Sequence, residues 1–554
     1  MSPRTASARW WEGAVLYQVY PRSFADANGD GIGDLDGIFD RLDHLAGTDA
    51  SLDVDGVWLS PIYPSPQHDF GYDVSEYVGV APEYGTLDDL DALIAACHQR
   101  GLRFLMDLVP CHTSIDHPWF VEARASRTSD KRDWYIWADP QPDGGPPSNW
   151  DSVFGGSAWE WDPGTAQFYL HTFYREQPDL NWRNPAVAEA MGEIMRFWFG
   201  RGVDGFRVDA IFAAAKDPLL RDNPPDRRAH MIPGFGADSG QDPLWSMNRP
   251  EVHDVIRHLR SVANEFPGRV LVGEAYLPVE ELAGYLGHGH DDEFHLAFDF
   301  ELLHSPWEHR HLTLAVERSE ALHPPDTWPT YAIGNHDQSR PASRWGAARQ
   351  RAAAFLLLTL RGVAVLYAGD EIGMANADPD QLPHPPFDRA GRDGYRTPMQ
   401  WDASAGAGFT TGTPWLPLVD PSTRNVADQS ADPASLLSLY RRLIAARRAS
   451  PALERGNHRS LFGIAPEVMA WLREADGERV LCLLNVGDER RACSLPLARL
   501  GADVVEVIVG TSGRAGPVAL RGLELEPLEG VALRLAGASR HDEGATVPAR
   551  DQKT

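Results

Sequence analysis

The chain has 554 residues, with 51 basic and 79 acidic side chains and a formal charge of −28. No basic cluster tracks a phosphate backbone and no apolar run is long enough to span a bilayer, so neither nucleic acid nor a membrane is an expected partner. MSPRTASARWWEG at the N-terminus lacks the apolar core of a signal peptide, and Cys97, Cys111, Cys482 and Cys493 show neither metal-ligand spacing nor disulfide density, which makes the cytoplasm the expected location.

In chain order, eight apolar runs alternate with helical stretches: VLYQVYPRSF, VDGVWLSPIY, RFLMDLVP, VDGFRVDA, VLVGEAY, FHLAFDF, PTYAIGNH and VAVLYAG. Such runs read as parallel strands covered on both faces, and eight of them predict an α/β fold, a closed (β/α)8 TIM barrel. The helix before the third run shows the pattern clearly. Thr86 caps it with Asp89 in the third helical position, Leu90, Leu93, Ile94 and Cys97 form its apolar stripe, and Gly101 ends it.

The chain is longer than a minimal barrel, so insertions must be located. Between His112 and about Asn181 the periodicity gives way to Trp, Pro, Gly and Asp, which predicts a folded subdomain inserted after the third strand, over the barrel mouth. A shorter irregular insert spans 216–248. After the helical run LLSLYRRLIAARR, the alternating stretches VMAWL, VLCLLNV, VVEVIV, LELEPL and VALRL predict a C-terminal antiparallel β domain. The expected divisions are 1–112 and 182–456 for the barrel, 113–181 for the insert, 457–537 for the β domain, and 538–554 for a polar, flexible tail.

An acid closes the apolar part of three of the runs: Asp209, Glu274 and, just after PTYAIGNH, Asp337. Desolvating a carboxylate is costly, so acids at the ends of buried strands gather where loops and solvent begin, and three together suggest one shared site. No metal cluster, phosphate loop or Cys nucleophile accompanies them, which leaves glycoside cleavage by a carboxylate pair. Arg207 lies two residues before Asp209, on the same side of an extended strand, and is expected to hold it ionised as nucleophile. Glu274, between apolar neighbours, is expected to stay protonated as the acid.

GFRVDA, VGEAY, GNHDQ and the upstream DLVPCH resemble the four conserved regions of the α-amylase superfamily, glycoside hydrolase family 13. The resemblance covers nearly the whole chain. It implies that Asp209 is the nucleophile, Glu274 the acid/base and Asp337 the stabiliser of the transition state, with His112 and His336 hydrogen-bonding the sugar. QPDLNW, DFGYD and RTPMQWD resemble the oligo-1,6-glucosidase and α-glucosidase branch, in which an Asp and an Arg close a blind glucose pocket. Those roles fall on Asp69 and Arg396, with Arg392 the alternative. Tyr72 would offer a ring to the glucose face, and Phe154 either lines the same site or packs the insert.

In this branch a small residue after the nucleophile accompanies α-1,4 cleavage, and here it is Ala210. The resemblance therefore implies a retaining, exo-acting α-glucosidase on maltose and short maltooligosaccharides, with transglucosylation where another hydroxyl outcompetes water and no organic cofactor. Oligo-1,6-glucosidases, sucrose hydrolases, trehalose-forming isomerases and glucosyltransferases would use the same acids. A non-enzymatic transporter heavy chain ranks below all of these, because all three acids are present.

DANGDGIGD places Asp26, Asn28, Asp30 and Asp34 at alternating positions, with the Ile32 carbonyl between the last two. It resembles the first part of a calcium-binding loop, but with Gly37 where an EF-hand has Glu, and it reads as a structural Ca²⁺ or Mg²⁺ site or as an ordinary Asx turn. Cys111 stands where relatives carry an Asn that helps bind an interdomain calcium, so no second metal is expected, and the thiol itself is expected to be buried and inert.

Overall fold

The computed structural model describes residues 9–225, 240–287, 290–324 and 326–535. All eight apolar runs form strands: Val15–Val19, Gly56–Leu59, Arg103–Leu108, Gly205–Val208, Val270–Gly273, Leu296–Asp299, Thr330–Ala332 and Val363–Tyr367. Each pairs in parallel with the next and the last with the first, closing the barrel. The strands are buried almost throughout, as β-rich runs must be when helices cover one face and the barrel interior the other.

Helix Leu87–Gln99 carries the capping box on Thr86 and Asp89, and its stripe of Leu90, Leu93, Ile94 and Cys97 is buried. Each half of that box satisfies an amide that would otherwise be orphaned, a contribution of about 1 kcal/mol.

The insert after the third strand folds around a three-stranded antiparallel sheet, Trp137–Ala138, Gln167–Leu170 and Trp159–Asp162. It also holds a helix, Pro118–Ala125, in a stretch whose sequence shows no helical period. Proline in the first turn and the His117 cap start this helix; only Phe120 and Ala123 are buried, too few to leave a readable stripe. At the other end of the chain, six antiparallel strands run in the order Asn457–Ser460, Val468–Ala475, Glu478–Asn485, Gly530–Leu535, Val504–Gly510 and Pro517–Ala519. The stretch LELEPL contributes only Glu524–Leu525, paired outside that sheet with Arg491–Ala492. The expected tail at 538–554 and the middle of the second insert, 226–239, lie outside the described residues. Among the described residues, no helix is long and apolar enough to cross a membrane.

Candidate active site

The barrel ladder fixes the acids before any side-chain contact is considered. Asp107 and Arg207 are register partners on the third and fourth strands. The ladder then runs one residue past the strand ends: Asp209 N–H donates to Leu108 O at 2.8 Å and Glu274 N–H to Val208 O at 2.9 Å. A side chain mounted on such backbone is held more tightly than one on a free loop. Asp337 differs, lying past the end of Thr330–Ala332 in a turn where its N–H donates to Asn335 Oδ1 at 3.0 Å.

Arg207 lies beneath the acids and is 2 % exposed. Its Nη1 donates to Asp209 Oδ1 at 2.6 Å and to Asp107 Oδ1 at 2.5 Å, while Nη2 pairs with Glu274. The expectation that Arg207 selects Asp209 for ionisation is therefore corrected, because one cation serves three carboxyl groups. Burial pushes both Asp209 and Glu274 up to about 7, and Asp107 up to about 6, with Arg207 pulling each of them down. With burial raising both groups towards neutrality, one can serve as an acid while the other is a carboxylate.

Asp337 behaves oppositely. Its Oδ1 accepts from Arg392 Nη1 and Arg396 Nη2, each at 2.9 Å, and its Oδ2 lies 3.1 Å from His336 Nε2. Burial opposes ionisation, but His336 and the two arginines overcome it and hold this carboxyl well below the usual range.

Asp69, Tyr72, His112, Phe154, Phe173, Asp209, Ala210, Glu274, Asp337 and Arg392 line one pocket of about 320 Å³. Arg392, not Arg396, reaches Asp69, its Nη2 donating to Oδ1 at 2.5 Å. Arg396 is 0 % exposed beneath Asp337 and donates its Nε to the His336 carbonyl at 2.9 Å, so it cannot close the pocket. His336 too lies behind the lining. Its Nδ1 meets the Gln18 amide at 2.7 Å and its Nε2 the Tyr72 hydroxyl at 2.7 Å, so it orients Tyr72 and Asp337. One face of the Tyr72 ring is covered by His336, with centroids 5.5 Å apart. His112 keeps the expected place: its Nδ1 is buried with no protein partner, and its Nε2 meets Gln177 at 3.0 Å. Phe173 escaped the sequence reading because a lone Phe in an irregular insert carries no signal; it packs on His112 at 5.1 Å.

The chain turns sharply after Asp209. Ala210 adopts φ +41°, which directs its N–H to Glu274 Oε2 at 3.0 Å. Cys111 is buried beside it, its Sγ 3.1 Å from the Ala210 carbonyl, and burial raises its pKa, which makes the thiol inert.

The Asp/Asn loop shares no residue with the pocket lining. Asp26 accepts from Gly29 N, Gly31 N and the Thr410 hydroxyl, and Asp34 from Ala27 N, Asn28 N and Gly37 N. Gly31 is required at φ +93°, since a Cβ there would fall 1.9 Å from the Thr413 carbonyl. Among the described residues no three His, Cys, Asp or Glu side chains gather as an ion-binding group. Any affinity for a cation therefore rests on the mixed carboxylate, amide and carbonyl oxygens of 26, 28, 30, 32 and 34. They are hard donors, and a carboxylate that accepts three hydrogen bonds keeps about one lone pair in reserve.

Residues 18–456 match the family model described as Alpha amylase, catalytic domain. The chain is 46% identical over 513 residues to a probable alpha-glucosidase of Rhizobium meliloti (strain 1021), covering 89% of this chain and 92% of the relative. It is 37% identical over 527 residues to the oligo-1,6-glucosidase of Heyndrickxia coagulans, covering 86% and 92%. A solved alpha-glucosyl transfer enzyme superimposes with a TM-score of 0.86 at 39% identity, covering 96% of this chain and all of that one. The closed barrel, the acids at its strand ends and these matches together establish that the chain belongs to glycoside hydrolase family 13, the α-amylase superfamily, in its α-glucosidase branch.

Proposed function

We propose that this glucosidase is a retaining, exo-acting enzyme that releases terminal nonreducing α-1,4-linked glucose from maltose and short maltooligosaccharides. The observation that carries the reading is the pocket itself, whose lining brings the Asp69–Arg392 ion pair together with Asp209 and Glu274 on a single guanidinium. Sharing one guanidinium keeps the two carboxyl groups close together, which supports the shorter of the two spacings used by glycosidases, the one for double displacement.

In that mechanism Asp209 attacks the anomeric carbon as the glycosidic bond breaks, and Glu274 gives its proton to the departing oxygen. Glu274, now a carboxylate, takes a proton from water, whose oxygen displaces Asp209 from the sugar and restores both groups. Ionised Asp337 faces the cationic character that develops at the sugar. A sugar hydroxyl in place of water yields transglucosylation, a reading supported by the likeness to a glucosyl transfer enzyme.

Product analysis with maltose, isomaltose, sucrose and trehalose side by side tests the substrate. Glucose chiefly from maltose, with the α anomer first by NMR, is expected; preference for another sugar overturns the linkage, and initial β-glucose overturns retention.

Ala210 gives a second handle. A β-branched side chain at φ +41° is strained by about 1–2 kcal/mol and would crowd the pocket wall. Ala210→Val is expected to raise the isomaltose-to-maltose ratio of kcat/KM while lowering Tm; an unchanged ratio removes the weight placed on this residue.

The Asp/Asn loop is assigned a structural Ca²⁺ held by Asp26, Asn28, Asp30, Ile32 O and Asp34. Chelation is expected to lower Tm and added Ca²⁺ to restore it. No bound metal by elemental analysis and no response to chelator would leave the loop an Asx turn.

A further inference from the structure

Beside Asp69, two segments from distant parts of the chain, 174–177 and 389–392, are pinned twice, once through Asp69 and once directly. One pin lies inside the pocket, where Arg392 meets Asp69 and Gln177 Nε2 donates to Asp69 Oδ2 at 3.0 Å. The other lies outside it: Arg389 donates from Nη2 to Glu176 Oε2 at 2.9 Å and from Nη1 to Oε1 at 3.3 Å. Glu176 precedes Gln177, and Arg389 precedes Arg392 by less than one helical turn, so the contacts form a closed circuit around the pocket end.

Aromatic rings fill the circuit. The Arg389 guanidinium lies 4.0 Å from the centroid of Tyr174, Tyr174 stacks on Phe154 at 4.2 Å, and the Arg392 guanidinium covers Phe154 at 5.3 Å. The segment between the arginines is stiff. Asp388 accepts from Arg392 Nε at 2.8 Å and from its N–H at 2.7 Å, and Asp393 accepts from the amides of Phe387 and Asp388. A shift at Arg389 therefore carries to Arg392 and Phe154, which touch the pocket, without Arg389 or Glu176 touching it. Glu176 is 7 % exposed and also takes a hydrogen bond from the more exposed Arg175 at 3.2 Å.

We propose that the Arg389–Glu176 pair is a latch between the loop after the eighth barrel strand and the inserted subdomain, holding Arg392 and Phe154 where they close the nonreducing end of the glucose site. Both members are positioning residues, and the proposal rests on the exo-glucosidase reading above. It makes exo-action depend on a tertiary contact outside the sugar's reach.

The test is a double-mutant cycle with Glu176→Gln and Arg389→Ala on p-nitrophenyl α-glucoside. The pair is partly exposed, so each single change is expected to raise KM about three- to tenfold with kcat within about twofold. Because the two act as one contact, the double variant should cost no more than the larger single. KM within twofold of the parent in either single variant, or fully additive costs in the double, would overturn the latch. A global packing loss would instead lower kcat and Tm together, which also counts against it. If the parent itself does not cleave the glucoside, the reading beneath the latch fails, and that control separates the two failures.

Discussion

Asp209→Asn is expected to abolish turnover while raising stability in alkaline solution. Loss of a nucleophile that acts in concert with an acid and a stabilising carboxylate costs on the order of 10⁴-fold or more in kcat. The fold should survive, because the amide oxygen can still accept from Arg207 and the backbone ladder at this position is unaffected. The stability effect follows from burial, which raises this carboxyl to about 7 in the folded chain against an ordinary value of 3.8. That preference for the neutral form corresponds to roughly 4 kcal/mol. For a group raised on folding, the stabilising contribution is complete below the unfolded pKa and is lost as pH rises through the folded one. The parent therefore loses stability between about pH 4 and pH 7 on account of Asp209, and the Asn variant does not. Melting curves at pH 8 should place the variant above the parent, with the gap closing towards pH 4. A variant that retains much of its activity, or that melts lower at pH 8, would refute the assignment.

The barrel and its three acids were legible because each rests on a local pattern. An apolar run reads as a buried strand whatever its neighbours do, and an acid at its end stands out against it, as at Asp209 and Glu274. What was not legible depends on which of several competent side chains wins a tertiary contact. Arg392 and Arg396 stand one helical turn apart in a loop, and nothing in their spacing says that Arg396 turns under Asp337 while Arg392 reaches Asp69. The same limit applies to Arg207. Its position beside Asp209 is local, but its hold on Asp107 and Glu274 comes from neighbouring strands, and that changes the electrostatic conclusion. Glu176 and Arg389 were invisible for the same reason, since each alone looks like an ordinary surface charge.

Glu274→Gln is expected to divide substrates by leaving group. From maltose the departing group is a second glucose, whose 4-oxygen is a poor alkoxide and needs the proton, so the glycosylation rate should fall about 10²- to 10⁴-fold. From a dinitrophenyl glucoside the departing group is a stable phenolate, and the rate should fall far less at that step. The comparison must be made as a ratio, for a reason visible at the site. Glu274 accepts hydrogen bonds on both oxygens, from Arg207 on one and from Ala210 N–H on the other, whereas an amide offers one acceptor and one donor. One of these N–H groups must then face another donor, and the resulting displacement slows every substrate. That common loss cancels between two leaving groups, while the missing proton does not. Pre-steady-state rates for the two glucosides therefore isolate acid catalysis from geometry, and equal losses on both would show that Glu274 positions the site without protonating the departing oxygen.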